Sequence, residues 1–301
     1  RPDGLVGKPA EVGTDVFTQA YGANSGDFRF TSNFPVDFGW AKLFASSGNW
    51  WTSARLIQQR ELKTNNADAG GSGTNKVFDS NTQWHSGGAD STYISHMWKR
   101  HAGFDVVTYS GTAATRQIPH SLSQTPEMIW VKSRTLSSGE WVVGHKGLNG
   151  GSSPWNYRLF LNATSAEASA SWAFANTAPT STHFTGSYNT YTNNENYTYL
   201  AMLFASVEGI SKVGSYSGPG GVVTITTGFQ PRFIMVKKTN DVGGWHVFDT
   251  VRGMGSGNDP LLYLNTTGAQ ITVDYVTPSS TGWSTTSGNL SEGDYIYYAH
   301  A

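Results

Sequence analysis

The chain has 301 residues, 20 Lys and Arg against 21 Asp and Glu, a net charge of −1 and no Cys. That balance leaves no basic face for nucleic acid, because cationic residues adjoin only at Lys99-Arg100 and Lys237-Lys238. The lack of Cys excludes disulfides, zinc–thiolate centres and thiol nucleophiles, and no apolar run reaches the ~20 residues that span a bilayer. Charged residues are only 14% and aromatics 13%, with 35 Gly. Short β-branched and aromatic runs between turn formers predict an all-β chain, and no long stretch has the apolar spacing of an amphipathic helix.

In chain order, Arg1–Gly13 carries two Pro and three Gly and reads as a linker. The remainder says nearly the same thing three times, in units 14–102, 103–208 and 209–301. Each unit carries a Lys strand: Pro35–Lys42, Pro126–Lys132 and Pro231–Lys237, the last two offset by 105 residues (126 to 231). A polar turn then leads to a Trp, aligned as Trp51, Trp141 and Trp245. A Leu-Asn segment comes next, at Leu62–Asn65, Leu159–Asn162 and Leu261–Asn265. Trp84, Phe184 and Trp283 fall in step after it. Each unit closes on an aromatic run, Tyr93–Trp98, Tyr199–Phe204 and Tyr295–His300, read as a central strand. Strand, hairpin, strand, loop and strand at this spacing predict three tandem antiparallel β-sandwich units, jelly-roll-like, each of a size to bury its own core. The last residue falls at the end of a repeat, which reads as a natural end.

Motifs for chemistry are weak. The eight His show no zincin spacing, no nucleophile elbow is present, and acidic residues change between copies: Glu127 aligns with Arg232, Glu140 with Gly244, and Asp249 with His145. No catalytic residue, metal or cofactor is therefore expected. The sequon residues Asn162 and Asn265 end equivalent strands, where Asn tolerates a left-handed backbone. The repeated Trp residues read as core aromatics. Binding is expected on the two Gly-rich loops that differ most between copies, 146–157 and 251–260. They carry Trp155 for stacking, Asn149, Asn156 and Asn258 for hydrogen bonds, and Arg252 and Asp259 for charge-assisted ones.

Several strings resemble the C-terminal repeats of structural, tail-fibre-like proteins of marine tailed phages of the cyanophage type. They are Phe104–Gly111, Ile118–Leu122, Pro126–Lys132, Trp245–Gly253 and Tyr295–Ala301, with Gly7-Lys8-Pro9 and Gly13–Phe17 near the start. The resemblance implies a non-enzymatic virion protein on the particle surface, in a fibre or appendage that adheres to the host. It implies contact with other virion proteins, with a host surface glycan or protein, and a homo-oligomer, a trimer by fibre analogy. It assigns no site residues. A capsid decoration protein and a secreted glycan-binding, lectin-like module are the alternatives.

Overall fold

The computed structural model describes residues 11–24, 30–73, 75–255 and 257–301; most of the expected linker lies outside them. The protein is all-β, built from antiparallel sheets. Three sheets have six strands each, within residues 17–98, 104–204 and 211–300. Their strand order is the same: first strand, aromatic strand, Lys strand, Trp strand, Leu-Asn strand and a short sixth strand. In the second unit these are Phe104–Ser110, Thr198–Phe204, Met128–Ser133, Trp141–His145, Tyr157–Phe160 and Ala168–Ser169. The aromatic strand is thus central, between two partners, as its unbroken apolar run requires.

Alternation along the Lys strand explains its continuous apolar run. Met128 and Trp130 point to one face and join a cluster that draws on all three units. Ile129 and Val131 point to the other face, where Ile118 and Phe184 of a small second sheet cover them. The first and third units repeat the arrangement, with Trp84 and Trp283 on small three-stranded sheets. Gly39 lies under Trp84, and a Cβ there would stand 2.8 Å from the indole. Each unit therefore has an outer core of its own and contributes its inner face to one common core. The expectation of three units with separate cores is corrected here: the inner apolar face of each unit is buried by its neighbours.

The repeated polar residues close this arrangement into a ring. The Trp50 indole donates to Tyr263 O of the third unit at 2.9 Å, Trp141 to Lys63 O of the first at 2.8 Å, and Trp245 to Phe160 O of the second at 3.0 Å. Buried Lys42, Lys132 and Lys237 follow the same rotation, donating to Thr267 O, Ala67 O and Thr164 O. The aligned Trp of the first unit is accordingly Trp50. Trp51 points outward, under the ammonium groups of Lys63 and Lys76. Asn65, Asn162 and Asn265 accept from the backbone N–H of Trp50, Trp141 and Trp245. Their side chains, not a left-handed backbone, explain their recurrence, since neither Asn162 nor Asn265 has a positive φ.

Trp141→Ala should lower stability by about 3–5 kcal/mol, because it opens a cavity in the common core and leaves Lys63 O without its donor. Urea unfolding at neutral pH measures this, and a near-neutral result would show that the ring does not carry the fold. The three lysines give a second outcome. Burial lowers each ammonium from 10.5 to about 8. Between those values the unfolded chain binds more protons, so stability should rise as pH increases from about 8 to 9.5. Lys132→Met should remove about a third of that rise; a flat profile in the wild type would contradict the assignment.

Candidate functional site

The second unit departs from its neighbours in the loop between the Trp and Leu-Asn strands. A short 3-10 turn, Pro154–Asn156, opens on Pro and follows Ser153 at φ 46°. It turns Trp155 inward, against Phe174 at 5.7 Å in an edge-to-face contact. Gly144 on the Trp strand makes this possible, because a Cβ there would meet Phe174 at 2.6 Å and Trp155 at 2.9 Å. Phe174 belongs to a single helical turn, Ser171–Phe174, too short to show any helical periodicity in the sequence.

Beside Trp155 lies a recess of 380 Å³. Pro126, Ala178, Pro179 and Ala205 supply apolar wall, Gln124 and Thr125 polar wall, and the Glu127–Lys146 ion pair one side. Glu127 is committed twice more, to the Ser206 N–H at 2.7 Å and to the Ser206 hydroxyl. Both charges at the recess are thus already paired. The space suits a small ligand bound by shape, apolar contact and a few hydrogen bonds.

The expected binding residues are not gathered here. Trp155 is only 6% exposed, so a stacking platform is not formed. Asn149 has φ 50° and donates from its amide to Ser152 O, bracing its own turn. The Asn156 backbone pairs with Ser153 and Ala170. In the third unit Arg252 is 8% exposed and donates to Asp249 and to Val247 O. Asp259 is fully buried and accepts from the backbone N–H groups of Gly255, Tyr275 and Val276. Only Asn258 is exposed. Arg252 and Asp259, read from the sequence as free charged groups, hold loops and cores together instead. What the sequence did not reveal is the Glu127–Lys146–Ser206 set, because Glu127 aligns with Arg232 and shows no recurrent partner along the chain.

One buried cluster has the outline of a catalytic dyad. His96 Nε2 lies 3.0 Å from Asp249 Oδ2, across the seam between the first and third units. The other ring nitrogen, Nδ1, accepts the Trp40 indole N–H at 2.7 Å. The ring is therefore neutral, with its proton on Nε2 toward the carboxylate. Burial alone would raise the Asp249 carboxyl; the Arg252 guanidinium and His96 outweigh it and hold it well below the usual range. Burial pushes His96 down, against the pull of Asp249. Both ring nitrogens are taken by these partners and the group is closed to solvent, so no nucleophile can be activated there. Among the described residues no cluster of three or more His, Asp and Glu could hold a metal ion.

Fold and site together define an all-β protein of β-sandwich character, with a rim recess in its second unit. The chain belongs to the family of the domain of unknown function DUF7483, whose profile matches residues 17–301. No curated protein and no solved structure matches it.

Arg252→Ala would leave Asp249 buried without its counter-charge and should cost about 3–5 kcal/mol. Unfolding titrations that gave less than about 1 kcal/mol would remove the pair from the stabilising set. Acid should also weaken the fold. Burial holds His145 at about 3 and His101 at about 4, with His96 and His300 also lowered. Below 6.5 the unfolded chain takes up protons that these folded imidazoles refuse, so stability falls as pH drops toward 4. Asp249 is silent in that window, since its stabilisation is lost only at lower pH. A stability profile that stays level from about pH 6.5 to 4.5 would contradict this.

Proposed function

We propose that this chain is a non-enzymatic component of a tailed-phage particle, displayed on a fibre or surface appendage, and that it contacts the host surface through the recess beside Trp155. Each unit is read as a jelly-roll-like sandwich. The resemblance of Pro126–Lys132, Trp245–Gly253 and Tyr295–Ala301 to phage structural repeats supports the virion assignment. The observation that carries the non-catalytic reading is the state of the polar groups. Glu127, Lys146, His96, Asp249, Arg252 and Asp259 each already have protein partners, so none stands ready as acid, base or nucleophile. The ligand of such a recess is a host glycan or peptide group held by contact alone, and many weak contacts become firm when the particle presents several copies.

Trp155→Ala and Arg252→Ala report on folding, because both side chains are buried. Ala178 is exposed at the mouth of the recess and is the better probe. Purified wild-type chain should compete with phage for adsorption to host cells, and Ala178→Arg should lose that competition with its melting temperature unchanged. Wild-type chain that leaves adsorption undisturbed would refute the adhesion reading. Incubation with host polysaccharide should yield no new reducing ends; defined oligosaccharide products would refute the non-enzymatic one.

A further inference from the structure

We infer that the seam between the first and second units holds a binding site for a small oxyanion group, a carboxylate or a sulfate, gripped between Arg60 and Arg134. This site is separate from the recess beside Trp155 and does not depend on the function proposed for it. Strand register makes Arg60, Tyr157 and Pro260 equivalent around the ring, since they pair with Ser72, Ser169 and Thr272 on the sixth strands. Arg134, Thr239 and Phe44 are equivalent on the other side of each seam. Their carbonyls accept from Gly70, Glu167 and Gln270 in turn.

At the seam of the second and third units, Tyr157 packs against the common core. At the seam of the third and first, Phe44 does so from the opposite side. At the seam of the first and second, both positions are Arg and no ring fills the space. What remains is a recess of 120 Å³, floored by Ile57 and Leu62 and walled by Arg60, Gly70, Arg134 and Thr135.

Two like charges meet there without a counter-charge. Among the described residues neither guanidinium has a carboxylate or carbonyl partner. The nearby acids are committed elsewhere, Glu61 to Lys76 at 3.2 Å and Asp68 to Lys63 at 3.2 Å. Burial lowers the pKa of Arg134, and the charge of Arg60 lowers it further, so the ionised state of Arg134 is disfavoured by both. An oxyanion relieves both effects. It matches the planar fork of each guanidinium, and the Thr135 hydroxyl, which accepts from Thr198 N–H, keeps its own proton to donate. The volume is far below the roughly 300 Å³ of a whole-ligand pocket, so the site takes a terminal group whose carrier lies outside.

Isothermal titration at pH 7 and constant chloride tests this, with sodium D-glucuronate and sodium sulfate as probes and glucose as the neutral control. At least one anion should bind in the millimolar range and glucose should not; tighter glucuronate names a carboxylate, tighter sulfate a sulfate ester. Arg134→Gln should weaken binding about tenfold. Arg60→Tyr installs the ring that Tyr157 supplies at the next seam. It should abolish binding while the melting temperature holds or rises. Arg60→Gln, at an exposed side chain, gives the same comparison without altering the packing. No heat with either anion, or an unchanged dissociation constant in both Arg60 variants, would overturn the inference.

Discussion

Each unit hands its Trp and Lys donors to the backbone of the unit before it, and the first hands its own to the third. Everything else in the structure depends on this closed rotation. A buried indole N–H and a buried ammonium need acceptors, and an unmet one costs about 1–3 kcal/mol or more. Within one isolated unit those acceptors do not exist: Trp141 needs Lys63, Trp245 needs Phe160, and Trp50 needs Tyr263. The inner faces carry the same dependence in apolar form, since Trp40, Trp130 and Met235 share one cluster. Polar and apolar contributions therefore select the same state, three units together.

A ring of three units with the same strand order has a register problem, because similar seams can be exchanged. The buried polar residues break that degeneracy. His96 faces Asp249 across one seam only. The positions equivalent to His96 are Met202 and Tyr298, and those equivalent to Asp249 are Ala54 and His145. No other pairing of units supplies both an imidazole and its carboxylate. Contacts of Arg232 add a second asymmetry. Arg232 donates to Phe17 O and to Ala301 O, and Gln19 donates to Arg232 O, so the third unit is latched onto the start of the first. Such a network adds less to stability than apolar packing of equal volume would, and its value lies in singling out one arrangement.

How much of this was legible in the sequence depends on which interactions are repeated. Lys42, Lys132 and Lys237, the Leu-Asn segments and the aromatic strands recur because all three seams need them, and they align from the sequence alone. The adjacent pair Trp50-Trp51 shows the limit. Both fit the repeat by type, and only the alternation of faces, fixed by Lys42 opposite Trp50, selects the inner one. Closure itself was hidden. A tandem row and a ring make the same demands within each unit, and differ only in which backbone receives each indole. The loop residues misled for a related reason. Arg252 and Asp259 sit among Gly, which reads as solvent-exposed, yet Asp249 and three backbone N–H groups draw them inward.

The same logic separates scaffold from the places free to change. A residue used at all three seams cannot vary at one without opening the ring. Departures from threefold repetition are therefore tolerated only where a seam or rim can close some other way, or where something else fills the gap. The two recesses are both departures of this kind. Trp155 and the Pro154–Asn156 turn are an insertion onto the outer rim of the second unit, supported by Gly144 where the other units have Ser53 and Phe248. Arg60 and Arg134 are substitutions within a seam, where a ring would otherwise complete the packing. An aromatic at either position would bury more apolar surface than a guanidinium does and would remove the like-charge contact. The seam that keeps two arginines instead turns two guanidinium forks toward one recess, and their charge and shape match an oxyanion.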